Sequence, residues 1–97
     1  MAGAKVRVFW TKRASQCLER IYQYHLTFSQ QGAATVREEI LQTVSALQFT
    51  KQYQVDELNL NFRRMVVRNY KIMYNVKGNE VYITNIFDTR QDPSKNK

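Results

Sequence analysis

A chain of 97 residues that is 43% hydrophobic and 24% charged has the length and balance of one globular domain, which argues against a disordered segment and against two cores. No apolar run is long enough to span a bilayer, the first ten residues lack a secretory apolar segment, and a single cysteine, Cys17, excludes an internal disulfide. The formal net charge is +7, and eight of the fifteen basic residues lie between Arg63 and Lys97 against three acidic ones there, so nucleic acid, the ribosome or an acidic protein is the partner to expect.

Lys5 to Trp10 alternates and predicts a strand, with Val6 and Val8 on one side and Arg7 and Phe9 on the other. Thr11 can cap a helix in which Ala14, Cys17, Leu18, Ile21, His25 and Phe28 form one apolar face. Ser29-Gln30-Gln31-Gly32 reads as a break. A second helix is predicted from about Ala33 to Gln48, with Val36, Ile40, Val44 and Leu47 on one stripe. The short connection implies an antiparallel helical hairpin. Thr50 to Asn61 is polar and irregular, with a short strand near Tyr53 to Val55.

Three strands close the chain. Phe62 to Arg68 is followed by a tight Arg68-Asn69 turn, where asparagine tolerates positive φ. Tyr70 to Val76 places Tyr70, Ile72, Tyr74 and Val76 on one face and Lys71, Met73 and Asn75 on the other. Lys77-Gly78-Asn79 turns into a strand from Val81 to Asp88, and Pro93 opens a disordered polar tail at about 93–97. The expected fold is α+β in a single domain over 1–97: an N-terminal strand, an antiparallel helical hairpin, then a three- to four-stranded, mostly antiparallel sheet. One sheet face carries the helices; the other is expected to offer Arg64, Arg68, Lys71 and Arg90 to solvent.

Several stretches resemble the RelE/ParE superfamily of type II toxin–antitoxin toxins. VRVFWTKRASQCLERIYQY is similar to the family's first strand and its helix with an I-x-x-Y pattern, here Ile21 and Tyr24. RRMVVRNYKIMYNV resembles the central hairpin, and VYITNIFDTRQDP the last strand with its terminal arginine, here Arg90. The likeness runs over about residues 5 to 94 and rests on the joint order of these patterns. It implies a cytoplasmic bacterial toxin of growth-inhibiting, plasmid-stabilisation type that a cognate antitoxin neutralises. ParE-like members poison DNA gyrase, whereas RelE-like members are ribosome-dependent endoribonucleases that cut mRNA.

Metal-free RNA cleavage needs a base for the 2′-OH, an acid for the leaving oxygen and cations for the phosphate. Arg68, Lys71 and Arg90 are the candidate catalytic cations if the chain is a nuclease. Lys71 stands where many cutters resemble one another in having arginine, and a lysine lacks the bidentate fork. The C-terminal stretch QDPSKNK holds neither the tyrosine nor the histidine that such cutters use. Asp88 reads as an ion-pair partner, His25 and Cys17 as packed groups on a helix face, and Tyr70 and Tyr74 as core. Tyr82 has the opposite parity to Val81 and Ile83 and could reach solvent.

The balance favours a ParE-like toxin that binds DNA gyrase through Arg63, Arg64, Arg68 and Arg90. A RelE-like nuclease and a non-toxic basic nucleic-acid-binding module stay open as alternatives. The antitoxin is expected on the helical hairpin around Tyr24 and Phe28 and on the sheet edge, in a hetero-oligomer, with a toxin homodimer also open. No cofactor, metal or membrane is expected.

Overall fold

The computed structural model describes residues 6–90, so the expectations for Pro93 and the 93–97 tail lie outside the described residues. Strand β1 (Arg7–Trp10) leads into helix α1 (Lys12–Leu26) and helix α2 (Gln30–Ser45). A long loop then precedes strands β2 (Arg63–Val67), β3 (Tyr70–Lys77) and β4 (Glu80–Asp88). The sheet order is β1-β4-β3-β2, with β1 parallel to β4 and the other pairings antiparallel. The helical hairpin is the crossover that lets β1 run parallel to β4.

Local chemistry sets the helix ends. Thr11 Oγ1 accepts the Ala14 N–H at 3.2 Å while donating to the Ile83 carbonyl at 2.8 Å, so the cap of α1 is also pinned to the sheet. Ser29 does not merely break the chain; its hydroxyl accepts the Gly32 N–H at 3.0 Å and caps α2. Helix α2 therefore begins at Gln30 rather than Ala33, and it stops at Ser45 rather than Gln48. The cap satisfies open N–H groups, which offsets the cost of a glycine in the first turn. Because α1 ends at Leu26, Phe28 falls off its apolar face and is 73% exposed.

The core lies between the helices and one face of the sheet. Ala14, Cys17 and Leu18 of α1 and Val36, Ile40 and Val44 of α2 pack on Met65, Ile72, Tyr74, Val81, Ile83 and Ile86. Tyr74 is fully buried, and its hydroxyl donates to the Thr50 carbonyl at 2.9 Å, tying the long loop to the core. The register jumps between Met73 and Tyr74, opposite Asn85 and Ile83, so Thr84 is an extra residue in β4. The inward parity accordingly passes from Val81 and Ile83 to Ile86.

Two backbone expectations change. The positive φ of the β2–β3 turn, 55°, falls on Arg68 and not on Asn69. Asn69 is tied to β4 instead: its amide donates to Asp88 Oδ1 at 3.0 Å and its carbonyl accepts the Thr89 N–H at 2.7 Å. The strand near Tyr53 to Val55 reduces to one bridge, Val55 to Arg63. Flanking bonds from Arg64 N–H to the Gln54 carbonyl and from Asp56 N–H to the Phe62 carbonyl carry the loop around the β2 edge.

Candidate target-binding surface

The structure does not place the named cations on one open face. Arg63 shares the inward parity and donates through Nη1 to the Tyr53 carbonyl at 2.7 Å. Arg64 points to the helix-free side, donating to the Val55 carbonyl at 2.8 Å with Glu57 at 3.9 Å. Lys71 shares that side but is only 8% exposed, because the loop folds across it and brings Asp56, 1% exposed, within 2.8 Å of its Nζ. The other Asp56 oxygen accepts the N–H groups of Leu58 and Asn59, so the carboxylate organises the loop as well as the lysine.

Arg68 goes the other way. Its left-handed backbone directs the side chain to α2, where Nε and Nη2 meet the two Glu39 oxygens at 2.6 and 3.0 Å. Arg64 and Arg68 thus diverge despite equal spacing parity, because the turn conformation at Arg68 interrupts the strand alternation. Arg90 pairs with Asp88 at 3.0 Å. The proposed nuclease set is split, with Lys71 enclosed on one side of the sheet and Arg68 on the other.

What the structure does bring together is one end of the sheet. Tyr70 at the start of β3 pairs with Asp88 at the end of β4, so the Arg68 turn and Arg90 are neighbours in space. The second half of α1 lies over this end and leaves an open groove of about 410 Å³, lined by Arg20, Ile21, Tyr24, Tyr70, Phe87 and Asp88 among others. The Arg90 charge bears on Tyr70, which in turn bears weakly on Arg68. Arg20 was not legible as a site residue from sequence; its position four residues before Tyr24 on α1 was the available signal.

Of the proton-bearing groups that line the groove, Tyr24 keeps a hydroxyl with no hydrogen-bond partner among the described residues, and the others are engaged. The Arg90 guanidinium, helped by its backbone N–H and the Asn69 amide, holds Asp88 down at about 2 against the opposing effect of burial. Burial, then the Asp88 charge, pushes the Tyr70 hydroxyl up. That hydroxyl sits 2.9 Å from His25 Nε2, and the Cys17 thiol donates to Asn85 Oδ1 at 3.0 Å, so both groups are engaged in packing. Tyr82 donates to Glu80 Oε1 at 2.7 Å, and that carboxylate raises its pKa. No group of three or more metal-ligating residues is placed to hold an ion among the described residues, and no described helix is long and apolar enough to cross a membrane.

Two apolar features stand beside this end. Tyr24, 50% exposed, packs edge-on against Phe28 with ring centres 5.3 Å apart. The outer edge of β2 carries the second: the Arg64 N–H already bonds outward to Gln54, and Val66, two residues on, faces the same way without a backbone partner among the described residues. A groove between this edge and α2 is lined by Glu39, Gln42, Thr43, Ala46, Tyr53 and Val66. Phe49, Val55, Leu58 and Leu60 in the adjoining loop are also exposed. Apolar side chains in an otherwise polar stretch were the sequence signal for this surface.

The comparisons with known proteins agree with this architecture. A family model described as the ParE toxin of the type II toxin–antitoxin system, parDE, matches residues 8–93. A chain of the chromosomal ParDE system from P. aeruginosa superposes with a TM-score of 0.76 at 21% identity, over 87% of this chain and 96% of that one. A chain of the YoeB–YefM complex from Staphylococcus aureus aligns with a TM-score of 0.39 at 15% identity, over 86% and 95% of the two chains. The first likeness establishes the fold; the second carries no argument. No curated protein matches the chain in sequence.

Proposed function

Because the chain belongs to the ParE toxin family of type II toxin–antitoxin systems, we propose that it inhibits growth by binding DNA gyrase in the cytoplasm and that a cognate antitoxin neutralises it. The observation that carries the binding reading is the groove end of the sheet, where Arg20 lines the opening, Arg90 pairs with Asp88 of its wall and the Arg68 turn adjoins Tyr70, while Asp88 and Tyr70 are both engaged. Such cations can hold an anionic or carboxylate-bearing target, whereas RNA cleavage needs both a base and an acid, and of the groove's tyrosines only Tyr24 has its hydroxyl unengaged. The Arg68–Glu39 and Arg90–Asp88 pairs lie at the surface, where such pairs are weak and exchange partners readily. Arg63 and Arg64, at the opposite end of β2, each tie a loop carbonyl to the sheet edge.

The antitoxin reading rests on the exposed Tyr24–Phe28 pair and the open β2 edge. An acidic amphipathic segment would lay its apolar side on the rings and its charges near Arg20 and Arg90, and an extended stretch would complete the edge at Val66. The chain mixed with gyrase and supercoiled plasmid is expected to accumulate stalled cleavage complexes, and Arg68→Glu with Arg90→Glu to abolish them. Unchanged gyrase turnover at excess protein would remove gyrase as the target.

A further inference from the structure

The face of the sheet turned away from the helices has a second built feature, centred on β1 and the first half of β4. Phe9 on the edge strand β1 stands beside Tyr82 on β4, and the two rings stack at 5.2 Å with an interplanar angle of 19°. The Arg7 guanidinium lies 5.4 Å from the Phe9 ring centre. Phe9 is 36% exposed, unusually open for a ring in the middle of a strand. Glu80, the one carboxylate in the register row, is occupied by the Tyr82 hydroxyl and by Arg7 at 3.7 Å. Lys77 faces Glu80 across β3 and β4 and has no ion-pair partner among the described residues.

The feature continues along β4. Thr84 opens a hollow of about 230 Å³ that Arg13, Phe62, Met73 and Phe87 also line. Arg13 and Lys12 occupy the first turn of α1, where no acidic residue offsets them and the helix N-terminus adds its own positive end. An exposed ring backed by a half-buried one and flanked by cations, on the part of the sheet face that the long loop leaves uncovered, matches what a single strand needs: a flat surface for a base and a positive border for its phosphates. A protein partner would instead find few aliphatic side chains here. A duplex keeps its base faces stacked internally and could use only the cations.

We propose that Arg7, Phe9 and Tyr82 form a stacking platform for single-stranded nucleic acid, with Lys12, Arg13 and Lys77 taking the phosphates. The site is independent of the gyrase reading and shares none of its residues. The experiment is fluorescence anisotropy of the full chain with labelled oligouridine and oligodeoxyuridine strands of about 12 nucleotides, and with a duplex of the same length. Binding of the strand at roughly 50 mM salt is expected, falling as salt rises by about 0.7 in log–log slope per phosphate neutralised. Phe9→Leu should weaken the strand about tenfold or more, whereas Tyr82→Phe, which keeps the ring, should bind as the parent does. Arg13→Glu, exposed in the first turn of α1, should lower the salt slope and tests the site even if Phe9→Leu fails to fold.

Preference for the ribose or the deoxyribose strand would identify the source, and equal binding of both would mean a platform blind to the sugar. No binding at low salt, parent-like binding by a folded Phe9→Leu, an unchanged slope in Arg13→Glu, or a duplex bound as tightly as the strand would each overturn the proposal.

Discussion

Removing the Asp56 carboxylate leaves an uncompensated charge under the long loop. In Asp56→Ala the Lys71 ammonium, 8% exposed in the parent, loses its partner at 2.8 Å, and the Leu58 and Asn59 N–H groups lose their acceptor. Breaking one side of a buried pair costs about 3–5 kcal/mol. A domain of this size holds roughly 5–15 kcal/mol in all. At about 4–8 °C per kcal/mol, the midpoint should fall by on the order of 12–40 °C, followed by far-UV circular dichroism on heating. Asp56→Leu combined with Lys71→Met removes both charges and should recover the share of the loss that comes from the lone ammonium, while the Leu58 and Asn59 N–H groups still lack their acceptor. A single variant that loses less than about 1 kcal/mol would refute the claim that the pair is desolvated. The double variant should also keep its action on gyrase; a folded double variant without it would return Lys71 to the functional site.

Asp88 makes the chain sensitive to acid. Its folded-state pKa of about 2 lies below the ordinary 3.8, so the unfolded chain takes up a proton before the folded one does. The stabilisation is therefore complete well above the ordinary value and is lost as pH falls through about 2; Asp88→Asn should flatten urea midpoints across that window, and an unchanged acid limb would contradict the pairing. Tyr24→Ser and Phe28→Ser should each weaken antitoxin binding by about tenfold or more in calorimetry, with the melting midpoint scarcely moved because both rings are exposed. Parent-like affinity in the pair of variants would move the antitoxin off the helical hairpin.

Much of the scaffold could be read from local pattern. The apolar stripes of α1 and α2, the alternation from Tyr70 to Val76 and the glycine at the β3–β4 turn, Gly78 with φ 61°, each depend on neighbours within a few residues. The cap at Thr11 was legible for the same reason. At Ser29 the same residue was visible but its role was not, because a cap and a break use the same chemistry until the following helix is known to start there. The extra residue at Thr84 left no trace in composition, since a bulge is decided by how two strands align and not by either alone.

The sequence by itself determined that the chain is basic, that its charge concentrates in the last third, and that strand, helical hairpin and sheet follow in that order. Only the tertiary structure decided what each cation does. A side chain's charge is local, but its partner is whichever carboxylate folding carries within about 4 Å, from 15 residues away for Lys71 and 29 for Arg68. That long-range pairing moved the candidate surface from the open face of the sheet to its end, and left on the face itself the exposed Phe9 ring stacked on a half-buried Tyr82.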